Sequence, residues 1–366
     1  MSLENKVTRL RVAFADVLTP STSFEIAESA SAGHRSRCRF QVVRDDAGAL
    51  KYALWANGGP NAIVETFPDA VGAIQDVMKG ALRAVERRKV LERGLEAANF
   101  LASVASGRVL VTLVYSTPIE EVEWLDAARE MLANDGDGVF AKVELMGRSK
   151  GVVVKTGSDR VEETYELRDG TTLRYHHAEG SFSNPNRAIT IATMEFLRAC
   201  ACEIVGDGKN VSALELYCGC ANHSCALATI FDRIVAVEIN PSLVTAARES
   251  LEMNEIDNVE VVLADSQNVA RSMMAGKFVD VQGKALSSTD FDVVLVDPPR
   301  AGLDPDTLRL VSTFDHVLYV SCGPENLLQN IRNGLSTHVV EKFIVLDHFP
   351  NTRHIEVAVY MRRRAL

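Results

Sequence analysis

Hydrophobic positions in the first half of the chain switch repeatedly between helical and strand spacing. From Lys6 to Val17 the apolar residues fall at helical intervals, and Thr19-Pro20 ends the segment. Cys38 to Arg44 and Ala49 to Trp55 predict a hairpin across Asp45-Asp46-Ala47-Gly48, and Asn57-Gly58-Gly59-Pro60 predicts a turn. Asp69 is placed to cap a helix reaching about Leu91. Gly94 to Val104 and Arg108 to Tyr115 predict a strand pair about Ser106-Gly107. A helix from Ile119 to Leu132 and further strands between Val139 and Tyr175 follow. Hairpins alternating with single helices predict an α+β domain over residues 1–180, dominated by an antiparallel sheet.

Near Gly180 the pattern changes. A helix is expected from Asn186 to Cys202, and then short apolar runs alternate with helical segments: Ser212–Leu216, Ile234–Val237, Val259–Leu263, Phe291–Val296, His316–Val320, Val339–Leu346 and Glu356–Met361. Helical segments separate the first five runs, as a parallel, doubly wound sheet requires, whereas the last two are close enough for an antiparallel hairpin. Ala275 to Asp290 has no clear period and reads as a surface excursion. The expectation is a Rossmann-like α/β domain of seven strands over residues 181–366.

Composition narrows the class. The chain has 366 residues, 47% of them hydrophobic, enough for two cores. No apolar run reaches membrane-spanning length, and Glu4, Lys6, Arg9 and Arg11 interrupt the start where a signal peptide would be apolar. A cytoplasmic protein is expected, an organelle being the alternative, with no membrane and no protein partner. Seven irregularly spaced cysteines suit a reducing compartment, and Cys200, Cys202, Cys218, Cys220 and Cys225 lack the paired spacing of a zinc or iron–sulfur site, so no metal is expected. A net charge of −10 opposes bulk attraction to nucleic acid but leaves room for a local basic face. Arg35, Arg37 and Arg39 alternate around Cys38 and Phe40, so on a strand they would project together, either into solvent or against RNA phosphates.

Candidate chemistry falls at the expected strand ends. Cys322 lies between the apolar run Val317-Leu318-Tyr319-Val320 and Pro324-Glu325, on a strand-to-helix turn where amides at the helix start can lower a thiol pKa. It is either a nucleophile or a small buried hydrophobe. Glu215-Leu216-Tyr217-Cys218-Gly219-Cys220-Ala221-Asn222 follows the first strand, and Glu238 ends the second, an arrangement that holds a nucleoside with the acid on its ribose. Cys220 and Ala221 stand where a dinucleotide fingerprint needs further glycines, which favours S-adenosylmethionine over NAD. Asp297-Pro298-Pro299-Arg300 ends the fourth strand in a turn stiffened by two prolines.

Four runs in order carry a family resemblance: Leu214-Glu215-Leu216-Tyr217-Cys218-Gly219; Val296-Asp297-Pro298-Pro299-Arg300-Ala301-Gly302-Leu303-Asp304; Ser321-Cys322-Gly323-Pro324-Glu325; and Phe349-Pro350-Asn351-Thr352-Arg353-His354-Ile355-Glu356. In these the chain resembles the RNA uracil-5-methyltransferases, and most of all the tRNA (uracil-5-)-methyltransferases that form ribothymidine in the T-loop. The resemblance implies an RNA-binding first domain that grips the T-arm of tRNA and a methyltransferase domain using S-adenosylmethionine. It implies Cys322 adding to uracil carbon 6 and Glu356 as the base that later removes the carbon-5 proton. Tyr217, Asn222 and Glu238 would contact the cofactor, together with Gly219, while Asp297 would lie between cofactor and base. Asn184, in Ser181-Phe182-Ser183-Asn184-Pro185-Asn186, stands where relatives carry glutamine and would reach cofactor or uracil with a shorter amide. Gly323 replaces a frequent asparagine and Ala221 a frequent glycine. The same reaction on rRNA, a tRNA-binding or tRNA-folding protein with vestigial activity, and an amine-directed methylase using Asp297-Pro298-Pro299 are the competing functions.

Overall fold

Strands buried on both faces have no polar side to present, so they read as unbroken apolar runs. Val293–Val296 is such a strand, with every residue at most 1% exposed. It lies within an eight-stranded sheet of the computed structural model, which describes every residue except 56–61, 135–137, 182, 207–209, 280–282 and 365–366. From one edge the strands are Val259–Leu263, Arg233–Glu238, Ser212–Leu216, Val293–Val296, His316–Ser321, Glu356–Arg363, His338–Leu346 and Ser23–Ala27. The first five pair in parallel. Glu356–Arg363 is antiparallel to both neighbours. The seven strands expected after residue 180 are therefore present, and Ser23–Ala27 adds an eighth, parallel to His338–Leu346.

Helix starts between these strands are set by side chains. Asn240 accepts from the Ser242 amide ahead of Pro241–Met253, Asp265 from that of Asn268 ahead of Ser266–Met274, and Asp304 from those of Asp306 and Thr307 ahead of Pro305–Val311. Pro241, Pro305 and Pro324 occupy first-turn positions where no amide hydrogen is needed.

The chain divides into two compact units, one of Met1–Ser29, Glu166–Tyr175 and Ala188–Leu366, the other of Ala30–Tyr165 and His176–Arg187. A boundary at residue 180 misses the opening segment. Its helix spans Leu3–Ala13, earlier than the apolar spacing suggested, because Ser2 caps it by accepting from the Asn5 amide. Leu10 and Phe14 enter the core of the large sheet, where the Phe14 and Phe343 rings meet edge to face at 5.1 Å. Lys6 is fully buried, its Nζ 2.7 Å from Asp347 Oδ1 and 2.9 Å from the Phe349 carbonyl. These are contacts across the whole length of the chain, and no local periodicity announces them.

The second unit is built on seven strands in the order Ala62–Val64, Leu50–Leu54, Arg37–Arg44, Leu95–Ala102, Val109–Tyr115, Val143–Ser149 and Val152–Lys155. All pairs are antiparallel except Val109–Tyr115 with Val143–Ser149, which is parallel because the helix Glu121–Ala133 makes the crossover. Asp69 caps no helix: its carbonyl accepts from the His34 and Arg35 amides, and the helix runs Gly72–Glu86. A separate turn of helix, Lys89–Glu92, completes the stretch to Leu91. Trp124 Nε1 donates to the Tyr115 hydroxyl at 2.9 Å, which donates to the Leu91 carbonyl at 3.0 Å, tying both helical segments to the sheet. The turn expected at Asn57-Gly58-Gly59-Pro60 lies outside the described residues. Among the described residues no helix is long and apolar enough to cross a membrane.

Removing one partner of a buried ion pair strands the other charge, so Lys6→Met is expected to cost about 3–5 kcal/mol. Urea unfolding measures it. The double variant Lys6→Met/Asp347→Leu is expected to recover most of the loss.

Candidate active site

Residues facing each other across an antiparallel pair project to the same side of the sheet. Ser321 pairs with Val357. One step beyond that rung, Cys322 leaves one strand as Glu356 opens the other, which brings thiol and carboxylate to one edge. Val296 pairs with Tyr319 on the neighbouring strand, so Asp297 ends at the same edge. Cys322 is exposed. The turn is tight: the Gly323 amide donates to Ser321 Oγ at 3.1 Å. A Cβ on Gly323 would stand 2.5 Å from the Arg300 carbonyl oxygen, which also accepts from Asn326 Nδ2 at 2.7 Å. Glycine here lets the Asp297–Gly302 loop close over the turn that carries the thiol.

Charge at this edge is shared by a cluster. Burial pushes the Glu356 carboxyl up to about 8, Asp297 adds to the rise and His223 opposes it. Burial likewise raises the Cys322 thiol, and the carboxylates of Glu356 and Asp297 raise it further, against a backbone hydrogen bond and Arg300. This corrects the expectation that the helix start lowers the thiol pKa: two facing acids and desolvation outweigh the amides. Glu215 is pushed up to about 7 by burial, with His223 and a hydrogen bond from the Ser224 hydroxyl in opposition.

Two histidines complete the cluster, and neither stood out in the sequence. His223, one residue past Asn222 in the short helix Asn222–Leu227, has Nε2 3.4 Å from Asp297 Oδ2. Burial lowers its pKa, but the hydrogen bond and charge of Asp297, with Glu215 and Glu356, raise it overall. His348 is fully buried beyond the strand His338–Leu346, with Nε2 3.5 Å from Glu356 Oε2, and burial pushes its pKa down to about 3. The available signal was position: His223 follows the glycine loop, and His348 adjoins the run Phe349–Glu356.

The loop after Ser212–Leu216 is strained. Tyr217 and Ala221 hold φ of 64° and 62°, values rare outside glycine, with Gly219 at 58° between them. Glu238 braces it, accepting from the Gly219 amide at 3.0 Å and the Asn240 amide at 2.8 Å. A Cβ on Gly219 would meet nothing within 4 Å, so the loop faces open space. Burial raises the Tyr217 hydroxyl pKa against hydrogen bonds to Thr307 and Ser266. The Asn222 carbonyl accepts from the Tyr175 hydroxyl at 3.1 Å. Thus Tyr217, Gly219, Asn222 and Glu238 gather at the ends of two adjacent strands.

The remaining sequence candidates belong to the other unit. Asn184 lies between buried Ser183 and Pro185. Arg37 and Arg39 alternate with buried Cys38 and Phe40, as expected of a strand. Arg35 precedes that strand, its backbone bridging Ala70 and Asn186, so the three arginines do not form one strand face. Arg37 is half-buried and donates to the Ala178 carbonyl at 3.3 Å, whereas Arg39 is exposed.

A parallel sheet with one inserted antiparallel strand, and a strained loop opposite a strand-end acid, define a Rossmann-like methyltransferase. The family model described as tRNA (Uracil-5-)-methyltransferase matches residues 1–364. The chain belongs to that family. It is 34% identical over 366 residues to a tRNA/tmRNA (uracil-C(5))-methyltransferase of Azoarcus sp. (strain BH72), covering 99% of this chain and 96% of the relative. To a protein of the same description from Pseudomonas entomophila (strain L48) it is 35% identical over 365 residues, with 99% and 96% covered. Among solved structures, a Pyrococcus abyssi tRNA (uracil-54, C5)-methyltransferase in complex with S-adenosyl-L-homocysteine superposes with a TM-score of 0.70 at 19% identity, covering 99% of this chain and 84% of that one. It shares the fold.

Two outcomes follow from the raised acids. A carboxyl whose folded pKa lies above its unfolded value costs stability as pH rises from that unfolded value through the folded one. Glu215→Gln is therefore expected to match the parent near pH 4.5 and to gain on it progressively up to about pH 7, read from melting temperatures across that range. Glu356→Gln removes a negative neighbour of the thiol, so iodoacetamide should alkylate Cys322 several-fold faster at pH 8, followed by peptide mass spectrometry.

Proposed function

We propose that this chain transfers a methyl group from S-adenosylmethionine to carbon 5 of a uridine in tRNA, at position 54 of the T-loop, with Cys322 as nucleophile and Glu356 as base. The observation that carries the proposal is the Ser321–Val357 rung, which sets sulfur and carboxylate at one sheet edge. The family supplies the reaction class. The Pyrococcus neighbour, named for uracil 54 and bound to S-adenosyl-L-homocysteine, supports the position and the cofactor.

The residues present fit that cofactor. An open glycine at 219 admits close approach, Glu238 stands at the strand end where ribose hydroxyls are held, and the carboxylates of Asp297 and Glu238 suit a cationic sulfonium. When bound, S-adenosylmethionine supplies an electrophilic methyl group.

Carbon 5 of uracil is too weak a nucleophile to take that methyl unaided. The Cys322 thiolate adds to carbon 6, and the electron pair of the 5,6 double bond becomes an enolate with density on carbon 5. Carbon 5 then takes the methyl group and carries both it and its hydrogen. Glu356 accepts that proton, the C–H pair restores the double bond, and the carbon–sulfur bond breaks with its electrons returning to sulfur. A carboxylate with its pKa raised to about 8 is a stronger base than an ordinary glutamate, and Asp297 beside it keeps it so. A uridine folded into the T-loop must leave its stack to reach the thiol. Arg35, Arg37 and Arg39 are proposed to hold RNA phosphates from the second unit. A tRNA substrate fits a cytoplasmic protein.

With 5-fluorouridine at position 54, carbon 5 has no proton to lose, so turnover stops at the adduct. Transcript carrying it, incubated with S-adenosylmethionine, is expected to give a denaturation-resistant protein–RNA complex that Cys322→Ala does not form. An unchanged complex in that variant overturns the mechanism. On ordinary uridine, Glu356→Gln is expected to lose at least a hundredfold in turnover and to accumulate the methylated adduct. A position-54 substitution in the tRNA should abolish methyl acceptance, and an rRNA fragment should accept none.

A further inference from the structure

Glu356 faces a difficulty that the catalytic pair does not solve. It must be ionised to accept a proton, yet it is largely buried, with a side chain only 13% exposed, and Asp297 repels its charge. Buried like charges keep a proton unless a cation offsets them.

The short helix Asn222–Leu227 places a candidate cation among these acids. His223 Nε2 lies 3.4 Å from Asp297 Oδ2, and the ring is nearly inaccessible. Its neighbour Ser224 donates to Glu215, which fixes the turn from which the imidazole projects. His223 Nδ1 has no hydrogen-bond partner among the described residues, so the surrounding carboxylates decide whether it takes the second proton. The groups acting on His223 come from four elements: Glu215 in Ser212–Leu216, Asp297 after Val293–Val296, Glu356 opening Glu356–Arg363, and His348 after His338–Leu346. Three are acids. Cys322 faces Glu356 and Asp297 as well, with Arg300 acting on that thiol. His348, with Nε2 3.5 Å from Glu356 Oε2, is too deeply buried to carry charge itself.

We propose that protonated His223 is the fixed cation that favours the ionised form of Glu356, enlarging the share of carboxylate available for proton abstraction. His223 is a positioning residue acting through Asp297 and Glu356, and the inference rests on Glu356 being the base proposed above. No proton passes through His223 in the cycle.

The test is a pH profile of single-turnover product release from ordinary tRNA between about pH 6 and 9.5, for the parent, His223→Gln and His223→Asn. Both lose the charge; Gln sets its amide nitrogen where Nε2 lies and can still donate to Asp297, whereas Asn, which overlays Nδ1, cannot, so an effect shared by both reports the charge rather than the hydrogen bond. The acidic limb, which reports the coupled cluster rather than one residue, is expected to move up by at least half a pH unit in both variants. The rate should be at least threefold lower at pH 7 and converge on the parent above pH 9, where imidazole is neutral and Glu356 is ionised in either protein. Both variants should still form the 5-fluorouridine adduct, because that step removes no proton from carbon 5. A limb that stays in place, or loss of the adduct itself, overturns the proposal. In the unaltered protein, histidine NMR titration keeps it falsifiable should the variants fold poorly: His223 should remain protonated at pH 7, and a neutral ring at pH 6.5 overturns it. Glu356→Gln separates the two levels. Normal turnover in that variant removes the base assignment, whereas a stalled adduct there with an unmoved limb in His223→Gln removes only the role of His223.

Discussion

One antiparallel strand in a parallel sheet makes this site. In a parallel sheet the strands deliver their carboxyl ends to one edge, where residues such as Asp297 and Cys322 emerge from successive strands. A further parallel strand would deliver only its last residue there. Because Glu356–Arg363 runs the opposite way, between His316–Ser321 and His338–Leu346, it brings its first residue to that edge instead. The pairing of Ser321 with Val357 then sets Glu356 and Cys322 one step beyond the same rung. A slip of one residue would turn Glu356 to the other face of the sheet.

Holding acids in such a place has costs that the rest of the unit carries. Glu215, Asp297 and Glu356 meet near the exposed Cys322, and the raised carboxyls of Glu215 and Glu356 weaken the folded state as pH rises above their unfolded values. Tyr217 and Ala221 add backbone strain in the loop beside them. Against this stand continuous apolar strands and the buried pair of Lys6 and Asp347. That pair anchors the turn bearing His348, so the first helix of the chain supports a residue more than three hundred positions later.

Gly323 and Ala221 each have a local structural role. Gly323 admits the Arg300 carbonyl at a distance that no side chain would tolerate, so the loop after Asp297 closes over the turn that carries Cys322. Ala221 occupies the left-handed conformation that glycine takes more easily, one residue before the helix that carries His223.

The sequence by itself determined the strands of the large sheet, because their periods and flanking turns are local: Ser212–Leu216 and Val259–Leu263 have the boundaries their apolar runs indicate. It also determined the family, since the runs around Asp297, Cys322 and Glu356 keep their order along the chain. Tertiary structure decided what depends on distant partners. Ser23–Ala27 joined the large sheet, the crossover helix Glu121–Ala133 made one pair of the second sheet parallel, and Lys6 found Asp347. The direction of the Cys322 shift was likewise hidden, because a pKa answers to burial and facing charge rather than to position in a turn. His223 and His348 entered the site only when five strand ends and a short helix converged, a juxtaposition that no single stretch of sequence encodes.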